Sequence, residues 1–140
     1  MQTKQGKPTR PPIILIDSEA DVLTDLALSM QARAPEVSEM LLQEVARAKT
    51  CGRDKVPTDV VTMMSHVEFV DEGTQAQHQV QLVFPRDADA DAHRISILTP
   101  IGAGLIGMRV GQTISWPNRS GEYRRLRIVG VTQPDPDPAP

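Results

Sequence analysis

Three features of this 140-residue sequence predict an α+β fold, in which a short N-terminal antiparallel helical hairpin leads into a small antiparallel sheet with one short covering helix. First, apolar residues recur at threes and fours through the first third of the chain, the period of a helix with one buried face. Second, from Val56 onward β-branched residues become common and the apolar period drops to two. Third, an apolar stretch that opens on Pro100 and reaches glycine at 107 interrupts the later strands as a short helix would.

The elements follow in order. After a brief apolar run at 13–16, Asp17 or Ser18 can cap a helix, and Glu19 and Asp21 suit its positive end. Val22, Leu23, Leu26, Ala27 and Met30 form one stripe, which Ala34 and Pro35 interrupt. Pro35 starts a second helix with Val37, Met40, Leu41, Val45 and Ala48 as its stripe, closed by Cys51 and Gly52. Two helices of about 15 residues joined by a two- or three-residue turn must lie antiparallel, each reaching ~23 Å. Leu23, Leu26, Met30, Met40 and Leu41 are then most simply the seam of this hairpin. Strands are predicted at 60–70 and 79–84, separated by Asp71, Glu72 and Gly73, and then at 94–98, 112–116 and 123–132. Residues 117–121 (Pro-Asn-Arg-Ser-Gly) form the last turn. The domain boundaries read as a flexible basic tail (1–12), the hairpin (13–53), the sheet domain (54–132) and a proline-rich tail (133–140).

Composition narrows the function. Net charge is −3, with 39% apolar and 3% aromatic residues, which suits one globular domain of modest core. The charge is unevenly placed: +3 in residues 1–12, −4 in 17–50, −5 in 51–93 and +3 in 94–140. An acidic first half argues against coating nucleic acid, so no sequence-specific nucleic-acid binding is expected, and favours a protein partner with basic patches. No run approaches the ~18 apolar residues of a spanning helix, and the polar N-terminus lacks an apolar signal core. A cytoplasmic chain is expected, with no membrane contact. The single cysteine, Cys51, cannot form an internal disulfide, which fits a reducing compartment.

Several motifs are weaker than they look. Residues 102–107 spell G-x-G-x-x-G after a strand, yet no long crossover helix to a parallel strand follows, so glycines that let a short helix approach the sheet are the better account. Asp87, Asp89 and Asp91 imitate the opening of a calcium loop, but Ala92 stands where glycine is needed and Leu98 where a bidentate glutamate is needed. A solvated acidic loop capped by His93 and Arg94 is expected there. His66, His78 and His93 are too far apart in sequence for a metal motif, and Cys51 has no C-x-x-C partner. Glu36 and Glu39 lie three apart on the first turn of the second helix and could point together at a metal, although acids there also complement the helix dipole. No phosphate-loop, nucleophile-elbow or H-E-x-x-H pattern occurs. A non-enzymatic protein without metal or cofactor is expected.

One stretch carries a resemblance. Ser96-Ile97-Leu98-Thr99-Pro100-Ile101-Gly102-Ala103-Gly104-Leu105-Ile106-Gly107, then Val110-Gly111-Gln112 and the closing Arg127-Ile128-Val129-Gly130-Val131, resembles the C-terminal domain of the Gre transcript-cleavage factors. Their pattern is ISxxSPxxxALxGxxxGDxxxx followed by an IVxV strand, and the likeness spans residues 56–132. It implies an FKBP-like domain that docks on bacterial RNA polymerase beside the secondary channel, with the preceding helices entering the channel. Gre helices of about 30 residues reach ~45 Å, about twice the span predicted here, so the chain resembles a branch of the family with a shortened coiled coil. The hairpin tip, with Arg33, Pro35, Glu36 and Glu39, does not reproduce the paired acids of cleavage factors. Where the family carries an acidic or amide residue and serine before the proline, this sequence has Leu98-Thr99-Pro100.

The resemblance thus implies a monomeric transcription elongation regulator at the secondary-channel rim that competes with Gre factors without stimulating RNA cleavage. Influence on nucleoside diphosphate kinase levels would be indirect. The contact is expected on Leu98, Thr99, Pro100 and Ile101, where a turn at a helix start can offer backbone donors and an apolar edge, with Asp87, Asp89 and Asp91 steering the encounter. Prolyl isomerisation is not expected, since so few aromatic residues are available to line a pocket. Two alternatives stand: a cleavage cofactor using Glu36 and Glu39, and an interaction module with another partner.

Overall fold

The structure is a computed structural model that describes residues 11–117 and 123–134. The basic tail through residue 10, the turn at 118–122 and the proline-rich segment from 135 lie outside the described residues. Elements follow in the order β1 (Ile14–Ile16), α1 (Asp17–Ser29), α2 (Pro35–Arg47), β2 (Lys49–Cys51), β3 (His66–Asp71), β4 (Gln77–Val83), β5 (Arg94–Ser96), α3 (Pro100–Leu105), β6 (Thr113–Pro117) and β7 (Tyr123–Thr132). A five-stranded sheet has the order β5-β4-β3-β7-β6, and β1 and β2 form a separate parallel pair.

The two long helices form where the apolar period places them and pack against each other. Each has 13 residues, so each spans ~20 Å. Ser38 Oγ–H donates to the Ala27 carbonyl at 2.7 Å, which satisfies a buried hydroxyl between the helices. The connection is longer than expected, occupying 30–34. Neither Asp17 nor Ser18 caps α1: Ile16 holds the cap position without a side-chain bond, and Asp17 and Glu19 lie inside the first turn. The second helix also ends earlier than Cys51. Residues 49–51 pair in register with β1, Ile14 opposite Lys49 and Ile16 opposite Cys51, and strand pairing there satisfies backbone groups that a longer helix would have used.

Two strand expectations change. Residues 60–65 are not a strand, although Val60 and Val61 are fully buried. Met64 has φ +69°, and the chain folds on itself through the hydroxyls of Thr62 and Ser65, 2.8 Å apart. The sheet is mixed instead of antiparallel throughout, because β5 runs parallel to β4 after residues 84–93 carry the chain back. The other pairings, β4 with β3, β3 with β7 and β7 with β6, are antiparallel.

The molecule stacks in the order sheet, α3, helix pair. Helix α3 packs against β5 on one side and α2 on the other. One apolar cluster therefore includes Leu23, Ala27 and Leu41 of the long helices, Ala103 and Leu105 of α3, and Leu82, Ile114 and Ile128 of the sheet. Of the seam expected within the hairpin, Leu23 and Leu41 belong to this shared core and Leu26 and Met40 pack against it, whereas Met30 is outside it and Val22 and Leu28 are about half exposed. Polar contacts fix the junction as well. Arg47 donates to Glu44 and to the Pro11 carbonyl, each at 2.7 Å, and Gln112 Nε2 donates to the Pro12 carbonyl at 3.1 Å.

Two carboxylates act on stability with opposite sign. Glu19 on α1 accepts the Met63 N–H at 3.1 Å, and burial pushes its carboxyl above the ordinary value of 4.5 while this bond and Arg53 pull it down. Asp71 at the end of β3 is buried and paired with Arg124 of β7 through Nε at 2.7 Å, which holds its carboxyl below the ordinary 3.8; the Gly73 and Thr74 amides reinforce it.

Leu41→Ala is expected to lower the unfolding free energy of the whole chain by about 2–5 kcal/mol, with helix and sheet signals lost together in urea. A sheet that still unfolds at the parental midpoint would show that the helices do not share its core. For Asp71, a depressed pKa means stability present at neutral pH and lost as pH falls through the folded value, so an Arg124→Gln variant should trail the parent at pH 7 and approach it below pH 3.8. For Glu19 the sign reverses: the raised pKa subtracts stability as pH rises above 4.5, and Glu19→Gln, which keeps an acceptor for Met63, should match the parent in acid and exceed it at neutral pH. Denaturation midpoints across this range check both.

Candidate functional site

The segment 98–101 sits between the end of β5 and the start of α3, and its conformation follows from a dense set of local hydrogen bonds. Thr99 caps α3: its Oγ1–H donates to the Ser96 carbonyl at 2.7 Å while the oxygen accepts the Gly102 N–H at 3.1 Å. The Thr99 N–H also donates to the Ser96 carbonyl, at 3.1 Å. Ser96 Oγ accepts the Leu98 N–H at 2.9 Å. Pro100 occupies the first helical turn, where its missing N–H leaves nothing unsatisfied.

Glycine is required at 102 by distance. A Cβ there would stand 2.2 Å from the Ser96 carbonyl oxygen and 3.0 Å from the Ile97 Cα, so no other residue allows α3 this close to the strand end. Gly107 has φ +81°, and a Cβ would meet Ile13 at 2.9 Å. These two glycines of the G-x-G-x-x-G string are thus packing positions.

Of the backbone donors expected at this turn, the Leu98 and Thr99 amides, and the Gly102 amide beside them, are used internally. What faces outward is apolar. Pro100 is exposed, and Leu98 and Ile101 are half-buried with their inner sides against the core cluster.

The acidic loop is exposed throughout 85–94. Asp89 exchanges both backbone bonds with Arg94, each at 3.0 Å, and its Oδ1 accepts the Asp91 N–H at 3.1 Å, while His93 turns the chain at φ +58°. Asp87, Asp89 and Asp91 are therefore presented on a short folded-back arm at the β5 edge of the sheet. At the far end of the helix pair, Arg33, Pro35, Glu36 and Glu39 are all exposed. Glu39 accepts from Gln43 at 3.2 Å on its own helix.

Sequence spacing missed one convergence. His66, His78 and His93 all line an open groove of about 900 Å³ with Glu68, Phe69 and Val129. The His78 ring stacks on Phe69 with centroids 5.1 Å apart. Strand register, with Phe69 opposite His78, brings these residues together. Among the described residues no group of three histidine, cysteine or acidic side chains is arranged to hold a metal. No helix among them is long and apolar enough to cross a membrane.

Comparison with known proteins agrees with the motif between Ser96 and Val131. The family described as "Transcription elongation factor, GreA/GreB, C-term" matches residues 56–133. The chain is 33% identical over 122 residues to the regulator of nucleoside diphosphate kinase of Escherichia coli K12, covering 86% of this chain and 89% of that protein. It is 35% identical over 130 residues to the transcription elongation factor GreA of Mesorhizobium japonicum, covering 87% of this chain and 82% of the relative. Among solved structures, the prokaryotic transcription elongation factor GreA/GreB from Nitrosomonas europaea superposes with a TM-score of 0.73 at 35% identity, covering 89% of this chain and all of that one. The match over more than half the sequence, with relatives above 30% identity across most of their length, establishes that the chain belongs to the GreA/GreB transcription elongation factor family.

Proposed function

We propose that this chain is a transcription elongation regulator that binds bacterial RNA polymerase at the rim of the secondary channel and competes there with Gre factors without stimulating RNA cleavage. The observation that carries this reading is a Gre C-terminal domain over residues 56–133 joined to helices of only 13 residues each. A helix pair reaching ~20 Å can occupy a channel entrance and stops well short of the depth that helices of about 30 residues span. The regulator of nucleoside diphosphate kinase in Escherichia coli is similar over most of its length, and an influence on nucleoside diphosphate kinase levels would here be indirect, through transcription. Among the described residues, none brought together in the fold supports phosphoryl transfer by the chain itself.

In this reading residues 13–53 are the channel-facing unit and 54–132 the docking unit, an FKBP-like domain in which α3 covers the sheet. The protein acts as a cytoplasmic monomer and has no catalytic group of its own. Docking uses Leu98, Thr99, Pro100 and Ile101, and the exposed arm with Asp87, Asp89 and Asp91 steers the encounter with a basic partner surface.

Purified protein added to backtracked elongation complexes is expected to leave the cleavage rate at its intrinsic level and to suppress cleavage driven by a Gre factor in proportion to its concentration. Robust cleavage abolished by combined Glu36→Ala and Glu39→Ala substitution would instead assign a cofactor role to those acids. The two docking contributions separate kinetically. Replacing Asp87, Asp89 and Asp91 by asparagine, or raising salt, should mainly slow association with core polymerase, whereas Pro100→Asp should mainly speed dissociation. A Pro100→Asp protein that melts like the parent and still displaces a Gre factor at parental concentration would move the docking site elsewhere.

A further inference from the structure

The residue that holds the docking turn in shape lies outside the 98–101 segment. Ser96 ends β5, is half-buried, and uses two different oxygens on the turn that follows. Its side-chain Oγ accepts the Leu98 N–H at 2.9 Å. Its carbonyl accepts both the Thr99 N–H at 3.1 Å and the Thr99 hydroxyl at 2.7 Å. The Thr99 hydroxyl passes the constraint on by accepting the Gly102 N–H at 3.1 Å, and the missing Cβ of Gly102 leaves the space that the Ser96 carbonyl fills. Ser96 is thus bonded, directly or through one hydroxyl, to three residues of the turn.

We infer that Ser96 is a positioning residue for polymerase docking, which fixes the turn so that Pro100 and the outer sides of Leu98 and Ile101 form a ready-made apolar contact for apolar side chains of the partner. The inference rests on the docking function proposed above. Its physical basis is preorganisation. A turn already held in its bound shape loses little conformational freedom on association, whereas a turn released from Ser96 must be ordered each time it binds. The chemistry of the partner follows from the same bonds. Since the Leu98, Thr99 and Gly102 amides and the Thr99 hydroxyl are committed within the chain, recognition of the turn relies on shape and on apolar contact with Leu98, Pro100 and Ile101. Polar steering then belongs to the aspartate arm, a separate exposed segment.

The test is dissociation of the full chain from immobilised core RNA polymerase, with parent, Ser96→Ala and Ser96→Thr proteins at low and high salt. Thermal melting and amide exchange at Leu98 accompany each. Ser96→Ala is expected to melt close to the parent, to exchange its Leu98 amide faster, and to dissociate about three- to tenfold faster, the factor corresponding to one net hydrogen bond. Ser96→Thr keeps the hydroxyl and should restore both exchange and dissociation. The ratio between Ser96→Ala and parent should not change with salt, because the contact it supports is apolar. If Ser96→Ala does not fold, Thr99→Val, which removes the hydroxyl that joins the Ser96 carbonyl to the Gly102 amide, is expected to exchange its Gly102 amide faster and to dissociate faster, with Thr99→Ser as its rescue. A parent that binds while folded Ser96→Ala, with its Leu98 amide released, leaves at the parental rate would overturn the inference alone. A parent that does not bind core polymerase overturns the docking function and the inference together.

Discussion

The approach of α3 to the end of β5 is the contact on which the rest of this structure depends. At Gly102 the helix backbone comes so near the Ser96 carbonyl that any side chain would collide at 2.2 Å. This closeness lets a helix of six residues, too short to be stable alone, act as the middle layer of the molecule. Ala103 and Leu105 are fully buried in the core, and α2 packs on the helix's other side. Immediately after the helix, Gly107 turns through φ +81° beneath Ile13, and its carbonyl accepts the Ile14 N–H at 3.1 Å, so the strand that introduces the long helices is tied to the same segment. A bulkier residue at 102 would lift α3 and disturb the 98–101 turn, the sheet contact and the seat of the helix pair at once.

Charge is arranged so that the interior and the exposed rim have different duties. Asp71 and Arg124 join the middle strand β3 to β7 across a buried position, and Glu72 adds exposed pairs with Arg125 at 3.0 Å and Arg127 at 3.2 Å. These β7 arginines account for much of the positive charge in the last third of the chain, and in the fold they face the acids at the β3 end instead of forming a free basic surface. Asp87, Asp89 and Asp91 keep their charge in solvent, where it can act on an approaching partner without a desolvation cost and weakens with added salt. The overall acidity therefore reaches a partner mainly through this arm and the exposed acids of the long helices.

What could be read from the sequence, and what could not, divides along the range of the interactions involved. The apolar stripes of α1 and α2, the alternation of β4 and the bounds of β7 express local periodicity, and each element lies close to where that periodicity puts it. Residues 60–65 look like a strand by composition, yet they serve the core as an irregular segment in which Val61 donates to Met108 and accepts from Gly107, partners more than forty positions away. The parallel direction of β5 and the pairing of 49–51 with β1 are likewise long-range outcomes without a local signature. The site shows the same division. Thr99 and Pro100 at a helix start are visible as a cap, whereas the part played by Ser96 depends on how β5 meets α3, and the gathering of His66, His78 and His93 depends on strand register.

The G-x-G-x-x-G string shows how a motif can be right about backbone geometry and wrong about ligand. In a dinucleotide fold the glycines admit a pyrophosphate and a close helix. Here Gly102 and Gly107 admit a carbonyl and an isoleucine of the same chain, and the cap amide that a phosphate would seek is already bonded to Thr99. Closing that end of the helix with the chain's own atoms leaves an apolar, conformationally fixed surface in place of an anion site. Such a surface suits a protein partner and gives a nucleotide little to hold, which joins the local hydrogen bonding at Ser96 and Thr99 to the regulatory, non-catalytic role proposed for the whole chain.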